Sequence, residues 1–373
     1  MAEHRTIPFV ALAQQFAAER DELMPRIEAA LASGLYIGGP DIDALEEELA
    51  VYCGTKHAVA LSSGTEALNL AMDVYGITAG DEVITQPNSF VSSASCIVRA
   101  RAKVVFADVR HDELIDPAAV EAAITPRTKA IMPVHLRGGV CDMPALRRIA
   151  ERHGLLLIED AAQAIGSAIG NARTGALGDL GCFSAHPLKL LNACGDAGFI
   201  TTNDAAVAGK YRRLRNAGLL DRDTVTEWGT VARLDALQAV ILRYRLTRLD
   251  GIIEARRNVA HQYLHGMEGT GLHLPLARAD EFHSYNTFTV QSGERDALQR
   301  TLSNAGIESK IHYPKPLHHQ PVAEALGFRR GMFPVTEELS RTILSLPVHQ
   351  FLTQEDVERV ISTVQSVPTA TPA

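Results

Sequence analysis

Cysteine is scarce in this chain, five residues in 373, and no CxxC pair occurs among Cys53, Cys96, Cys141, Cys182 and Cys194. An odd, scattered set of this kind is not a disulfide framework and points to a reducing compartment. No run of about 18 apolar residues is present, which leaves no candidate for a membrane span. The N-terminal residues also lack the charged-then-apolar pattern of a secretory signal, so a cytoplasmic protein is expected. A positive charge balance is missing too: 36 Lys+Arg against 44 Asp+Glu give a formal −8. That argues against a general binder of nucleic acid or anionic membrane and favours a small-molecule partner. Internal repeats are absent, and low complexity is confined to the Pro/Thr/Ala tail after Val367.

What the chain does have is an ordinary globular composition, 46% hydrophobic and 21% charged, which excludes a disordered protein. Its length favours two lobes, read as a large domain over residues 1–250, with an N-terminal helical segment, and a smaller C-terminal one over 251–373. Helical spacing ends near Gly34 and resumes from Asp41 to Cys53. Short apolar runs follow at His57–Leu61, Glu82–Thr85, Lys103–Ala107, Lys129–Val134 and Leu155–Ile158, with helical periods at Glu66–Val74, Pro117–Ile124 and Met143–His153. This βαβ rhythm predicts an α/β fold with a mainly parallel sheet covered on both faces. Two further runs, Gly181–Ala185 and Gly198–Thr202, have no long helix between them, so the sheet is expected to be mixed. From Arg233 to Met267 helical spacing persists, broken only by Gly251, which suggests one long or kinked connecting helix. The remainder reads as a smaller α+β lobe, with strands at Tyr285–Gln291 and Ser309–His312 and helices at Asp296–Asn304, Glu337–Leu344 and Gln354–Val364.

Three stretches carry chemistry. In Ser62-Ser63-Gly64-Thr65 a strand gives way to a helix, whose free N–H groups suit a phosphate, although an ordinary N-cap has the same sequence. The run Leu155 to Asp160 places Glu159 and Asp160 at the carboxyl end of a buried strand, where open α/β sheets bind ligands. A carboxylate there can keep a pyridinium nitrogen protonated; it can also simply cap the next segment, as fits Glu159 better than Asp160. Gln163 can bond a ring substituent or face solvent. Lys189, flanked by apolar residues and followed by Gly195-Asp196-Ala197-Gly198, is a candidate amine nucleophile if desolvated. Its pattern fits a surface loop equally well.

Six ordered motifs then combine: Ser63-Gly64-Thr65, Pro87-Asn88-Ser89-Phe90, Pro133-Val134-His135-Leu136, Glu159 to Gln163, Phe183-Ser184 to Lys189, and Gly195-Asp196. Together they resemble the sugar aminotransferases of the DegT/DnrJ/EryC1/StrS family, which have the fold-type-I architecture of pyridoxal 5′-phosphate (PLP) enzymes. The resemblance runs from Ile7-Pro8-Phe9-Val10 through His312-Tyr313-Pro314 and Pro316-Leu317-His318 to Leu344-Ser345-Leu346-Pro347-Val348.

That resemblance implies PLP as cofactor, Lys189 as Schiff-base lysine and proton shuttle, and Asp160 on the pyridine nitrogen. It implies Phe90 stacked on the ring, Gly64, Thr65 and Ser184 at the phosphate with Glu66 beside them, and Gln163 near the phenolic oxygen. Substrate contacts are expected from Tyr36, His135, Arg137, His312, Tyr313 and His318, and no metal is expected. The implied reaction takes an amino group from glutamate or glutamine to a keto sugar, often nucleotide-linked, or a cyclitol. Alternatives are a keto-sugar dehydratase branch, which carries histidine in place of Lys189, and a non-catalytic sugar- or PLP-binding regulator. A homodimer with shared sites is implied by Ser33 to Pro40 and by the Trp228 to Arg233 loop. In that loop Val231 stands where the family has an asparagine reaching the neighbouring phosphate; Ile165 replaces a common histidine, and Arg137 an aromatic residue.

Overall fold

The computed structural model describes residues 5–367; the tail after Val367 and the outermost ends of the two expected domains lie outside the described residues. Helices α1 (Leu12–Ser33) and α2 (Pro40–Cys53) lead into an alternation of β1 (His57–Leu61), α3 (Gly64–Tyr75), β2 (Glu82–Thr85), α4 (Ser92–Arg99), β3 (Lys103–Phe106), α5 (Pro117–Ala122), β4 (Thr128–Ile131), α6 (Met143–His153) and β5 (Leu156–Asp160). Local chemistry marks the ends. The Asp142 side chain caps α6 by accepting the Ala145 N–H, Pro144 sits in its first turn, and Gly154 closes it in the left-handed conformation.

Next come the short strands β6 (Ala168–Ile169) and β7 (Ala172–Arg173), then β8 (Leu180–Ser184), β9 (Gly198–Thr202) and α7 (Ala205–Leu214). Seven strands form the central sheet in the order β1-β9-β8-β5-β4-β2-β3. All are parallel except β9, which runs antiparallel to both β1 and β8. The expected mixed, mainly parallel α/β sheet is therefore present. Both faces are buried, as alternation along β1 shows: Val59 and Leu61 pack with α3 and α7, while Ala58 and Ala60 pack with α2 and the following α8 (Ala236–Leu246).

Beyond α8 lie α9 (Leu249–Gly266), β10 (Glu281–Phe282), β11 (Phe288–Gln291), α10 (Arg295–Asn304), α11 (Pro321–Glu324), α12 (Pro334–Thr342), β12 (Ile343–Leu346) and α13 (Gln354–Gln365). A separate core gathers Tyr263, Phe288, Val290, Leu344, Leu346, Val357 and Val360, and takes in Ile7 from the N-terminal end. Ile7 reaches it by bridging Ile307. Helix α9 spans two cores, with Leu249 and Ile253 in the α2/α8 cluster and Val259, Ala260 and Tyr263 in the C-terminal one.

Three expectations are corrected. The helical stretch breaks at Thr247–Arg248 between α8 and α9, not at Gly251, which lies inside α9; the Thr247 hydroxyl donates back to the Tyr244 carbonyl at 2.7 Å. Ser309–His312 is not a strand, and only Lys310 makes a bridge, to Ser345. The helix over Glu337–Leu344 stops at Thr342, because Ile343–Leu346 pairs antiparallel with β11.

Candidate active site

Since β1, β2, β4, β5 and β8 all run the same way, the segments that leave their carboxyl ends meet at one edge of the sheet, the usual ligand edge of such folds. They surround a cavity of about 500 Å³ whose lining includes Gly64, Thr65, Phe90, Arg137, Asp160, Gln163, Ser184, Lys189, His312 and Tyr313.

Asp160 closes β5 with its backbone pinned on both sides. Its N–H donates to the Pro133 carbonyl and its carbonyl accepts from the His135 N–H, each at 2.9 Å. The carboxylate is buried. Ser93 Oγ donates to Oδ2 at 2.7 Å and the Ala162 N–H donates to Oδ1 at 3.2 Å; Ser93 is itself joined to Ser89 Oγ at 2.7 Å. Burial raises the Asp160 pKa, and the Ser93 and Ala162 hydrogen bonds and the Lys189 charge oppose that rise. Its bonded donors are all neutral, so a buried carboxylate here is completed only by a cationic group facing it.

Lys189 lies beyond β8, in a turn closed by its own N–H donating to the His186 carbonyl at 2.9 Å. The side chain is half-buried in the cavity wall. Burial pushes the amine down to about 8, against the opposing pull of Asp160. Near neutral pH a sizeable fraction is then the unprotonated, nucleophilic form, which an ordinary lysine with a pKa of roughly 10.4 does not offer.

The N-terminus of α3 forms the far wall. Ser63 caps it, with Oγ accepting the Glu66 N–H at 3.1 Å, which leaves the first-turn amides of Gly64 and Thr65 free for an anion. Hydroxyls gather around them: Thr65 Oγ1 and Ser92 Oγ are 2.8 Å apart, and Ser184 faces the same space. A Cβ on Gly64 would lie 2.7 Å from Ser184 Cβ and 3.0 Å from Ser184 Cα, and one on Gly198 would lie 2.4 Å from the Gly64 nitrogen. Two glycines thus let β8, β9 and α3 close on one another. Gly64→Ala is expected to raise the dissociation constant for a phosphate-bearing ligand by about tenfold or more, since a displaced cradle loses on the order of 1.4 kcal/mol or more. Equilibrium titration of both proteins checks this, and an unchanged constant contradicts it.

The remaining walls are aromatic and polar. Phe90 is 55% exposed and its ring lies 6.3 Å from that of Tyr313. Gln163 accepts the Arg137 N–H at 3.0 Å and its Nε2 donates to Tyr313 Oη at 3.4 Å. Arg137 has a left-handed backbone, φ 62°. Its guanidinium is held by Glu113 at 2.7 and 2.5 Å and also donates to the His312 carbonyl, so its charge is already paired. His312 is kept neutral, pushed down to about 4 by burial and by the charges of Arg137, Lys189 and Lys310.

Four residues expected at the site do not line this chain's cavity, Tyr36 among them being part of the segment expected to serve a neighbouring chain's site. His135 is fully buried; its Nδ1 accepts the Cys141 N–H at 3.1 Å, so Nε2 carries the proton and donates to Glu159 at 3.0 Å. Glu159 in turn accepts the N–H groups of Gly175, Leu177 and Gly178, which makes the pair a brace for that turn. His318 is buried against Glu337, the Glu66 carboxylate accepts from Asn69, and Tyr36 is exposed, with its hydroxyl donating to the Leu31 carbonyl. None of the four lines the cavity. Ile165, too, is buried, in the α2/α8 core. Conversely, the sequence reading passed over Ser89, Ser93, Glu113 and the cavity-lining Arg256 and Lys310. Only Ser89 and Ser93 carried a signal, their closeness to Phe90.

Comparison with known proteins adds the following. The profile described as the DegT/DnrJ/EryC1/StrS aminotransferase family matches residues 17–365. The chain is 40% identical to the erythromycin biosynthesis sensory transduction protein EryC1 of Saccharopolyspora erythraea, over 96% of this chain and 99% of that one. It is also 40% identical to a UDP-N-acetyl-3-dehydro-alpha-D-glucosamine 3-aminotransferase of Acidithiobacillus ferrooxidans, over 98% and 99%. Among solved structures, DesV of S. venezuelae in complex with a ketimine intermediate is 39% identical and superposes with a TM-score of 0.95, covering 97% of this chain and 98% of that one.

Proposed function

The chain belongs to the DegT/DnrJ/EryC1/StrS aminotransferase family, and from the site it carries we propose that it moves an amino group from glutamate or glutamine to the ketone of a nucleotide-linked sugar, with PLP as cofactor. The observation that carries this reading is the pair formed by the desolvated Lys189 amine and the buried, otherwise uncompensated Asp160 carboxylate on the walls of one cavity. The cradle of α3 amides, Thr65, Ser92 and Ser184 suits the phosphate, and the exposed ring of Phe90 suits a flat heteroaromatic partner.

When bound, PLP supplies an electron sink that stabilises negative charge at the carbon losing its proton. Asp160 would hold a proton on the pyridine nitrogen, and Ser93 and the Ala162 N–H fix that carboxylate's orientation. Lys189 Nζ, released as a neutral amine, would take the α-proton of the amino donor and return it. Gln163, itself oriented by the Arg137 N–H, is suited to the phenolic oxygen. A ping-pong cycle follows, the donor half giving the keto acid before the acceptor enters. The relative acting on a UDP-linked 3-keto sugar supports an acceptor of that class. The decisive experiment incubates the purified PLP-loaded chain with glutamate or glutamine and UDP- or dTDP-linked 3-keto sugars and follows formation of the amino sugar. No turnover with any, together with ligand binding alone, would favour the regulatory reading suggested by the EryC1 name.

The pH dependence has a definite sign. A lysine attacks a carbonyl only when neutral, and the Lys189 pKa is lowered to about 8. Capture of PLP by the apoprotein, followed by growth of its visible band, is expected to speed up with rising pH through a midpoint near 8 and then level off. A rate still climbing above roughly pH 10, as for an ordinary lysine, would contradict the desolvated site.

We also propose a homodimer with shared sites in the cytoplasm, and two lobes meeting near the α8–α9 break. Trp228 is 98% exposed and Val231 68%, while Leu35, Tyr36 and Ile37 are each at least half exposed. The first segment adjoins the chain just after the Trp228 to Arg233 loop, since Ile37 bridges Asp235 and the Ala236 N–H donates to the Tyr36 carbonyl. Exposed apolar side chains of this kind suit a two-fold contact. Light scattering is expected to give twice the 40.3 kDa chain mass; a fully active monomer overturns the proposal. Among the described residues no helix is long and apolar enough to cross a membrane, and the five unpaired cysteines suit a reducing compartment.

A further inference from the structure

We propose that His318, His319 and Glu337 form a binding site for one divalent transition-metal ion of zinc type, outside the catalytic cavity. The two histidines occupy a single 3-10 turn, Leu317–His319, tied to the loop after β2 by the Leu317 N–H donating to the Pro87 carbonyl at 2.8 Å. Glu337 enters from the first turn of α12. One ligand atom from each residue lies within 4.8 Å of the other two. His318 Nε2 stands 3.0 Å and His319 Nε2 3.4 Å from the same oxygen, Glu337 Oε1.

Hydrogen bonding within the protein leaves this cluster unfinished. Glu337 Oε1 already accepts the Gly331 N–H at 2.6 Å and bonds His318 Nε2. His319 Nε2 is buried and has no hydrogen-bond partner despite its nearness. Buried ring nitrogens are rarely left unpaired. Two imidazole nitrogens converging on one carboxylate are both used if a cation sits among them, each lone pair and the carboxylate then serving as ligands. Two histidines and a glutamate are a recurrent zinc donor set, and the mixed N/O chemistry disfavours magnesium and calcium, which take oxygen ligands. Zinc bonds of about 2.1 Å need donors roughly 3.4 Å apart in a tetrahedron; His319 Nε2 already stands 3.4 Å from Glu337 Oε1, the His318 Nε2 to Glu337 Oε1 pair opens slightly from 3.0 Å, and no pair starts more than 4.8 Å apart. The histidine and glutamate side chains at the rim keep 12% and 13% exposure, which gives an ion and a completing water a way in.

A bound ion would fasten the turn that follows the cavity-lining His312–Tyr313 stretch to α12 and the Gly331 loop, stiffening one wall of the site from behind. The test uses PLP-loaded protein in a Cys194→Ser background, because Cys194 is the exposed thiol. After dialysis against a chelator, Zn²⁺ is titrated calorimetrically, and Co²⁺ is added in parallel to read its d–d absorption. The expected result is one Zn²⁺ per chain, a low-coordinate Co²⁺ spectrum and a raised melting temperature with Zn²⁺. His319→Gln and Glu337→Gln are each expected to weaken binding by about a hundredfold or more and to remove the Zn²⁺-dependent melting shift. The wild-type titration stands whether or not either variant folds. Absence of stoichiometric Zn²⁺ binding by the folded wild-type protein, or equal binding by folded variants, overturns the proposal.

Discussion

Lys189→Ala is expected to abolish transamination, with a fall of roughly four orders of magnitude or more, and to remove the visible absorbance that PLP acquires when its aldehyde is joined to a lysine amine. Both effects trace to one atom, since Nζ is at once the nucleophile for the carbonyl and the base for the α-proton. Alanine opens space but disturbs little else, because the turn at this position is held by the Lys189 N–H and the His186 carbonyl, which the substitution keeps. The α3 cradle is also kept, so the variant should still bind PLP, now in exchange with free cofactor. Absorbance spectra, activity and a binding titration measured together separate these outcomes. A variant that retains the bound visible band would place the imine on another lysine and sink the assignment.

Asp160→Asn should lower activity by about two to three orders of magnitude, the usual cost of removing one preorganised electrostatic partner from a charge that develops in the transition state. Asparagine keeps the shape, with its Oδ1 still accepting the Ala162 N–H and its Nδ2 donating to Ser93 Oγ, so the charge is lost and one hydrogen bond reverses its direction. Stability should move the other way. The Asp160 pKa is raised by burial, so the folded apoprotein holds this proton more tightly than the unfolded chain. Its contribution to stability is full at acid pH and is lost as pH rises through the raised folded value. At neutral pH the neutral asparagine escapes that loss, and the apo variant is expected to melt at a higher temperature than the parent. The Lys189 midpoint should also fall below about 8, because Asp160 is the charge that props it up. Activity near the parent's would mean that another group serves the pyridine nitrogen.

The parts of the fold that could be read from sequence are those where local pattern and tertiary environment agree. β1, β2, β9 and α6 carry apolar runs or a 3.6-residue period with caps at their ends, and their bounds match the structure residue for residue. Leu344 shows the opposite case. It continues the helical spacing of α12, yet pairing with Val290 across β11 draws it into a strand, and that energy comes from residues more than fifty positions away. The break at Thr247–Arg248 contains neither glycine nor proline and so carries no sequence signal. Within the site, Asp160 and Lys189 were open by residue type alone, Lys189 fitting a surface loop equally well, and only the six ordered motifs taken together pointed to them. Ser93 was not legible, since a serine becomes informative only once the carboxylate it bonds is known. His135 and His318 fall outside the cavity for the converse reason: His135 follows the cavity-lining Val134 and His318 follows soon after the cavity-lining Tyr313, but their rings turn into the protein and find Glu159 and Glu337.

The lone antiparallel strand also governs when the site can come into being. β1 has β9 as its neighbour in the sheet, and the chain between them runs from Leu61 to Gly198, a separation of 137 residues (198 − 61). Closing so long a loop is entropically costly and high in contact order, so this pairing is expected late in folding. Until it forms, the turn at Ser63-Gly64 lacks the Gly198 backbone it packs against, although Asp160 and Lys189 are already in nearby stretches of chain. Cofactor capture during refolding should therefore lag behind the appearance of helical signal and coincide with the last cooperative step, which makes cofactor binding itself a reporter of the completed sheet.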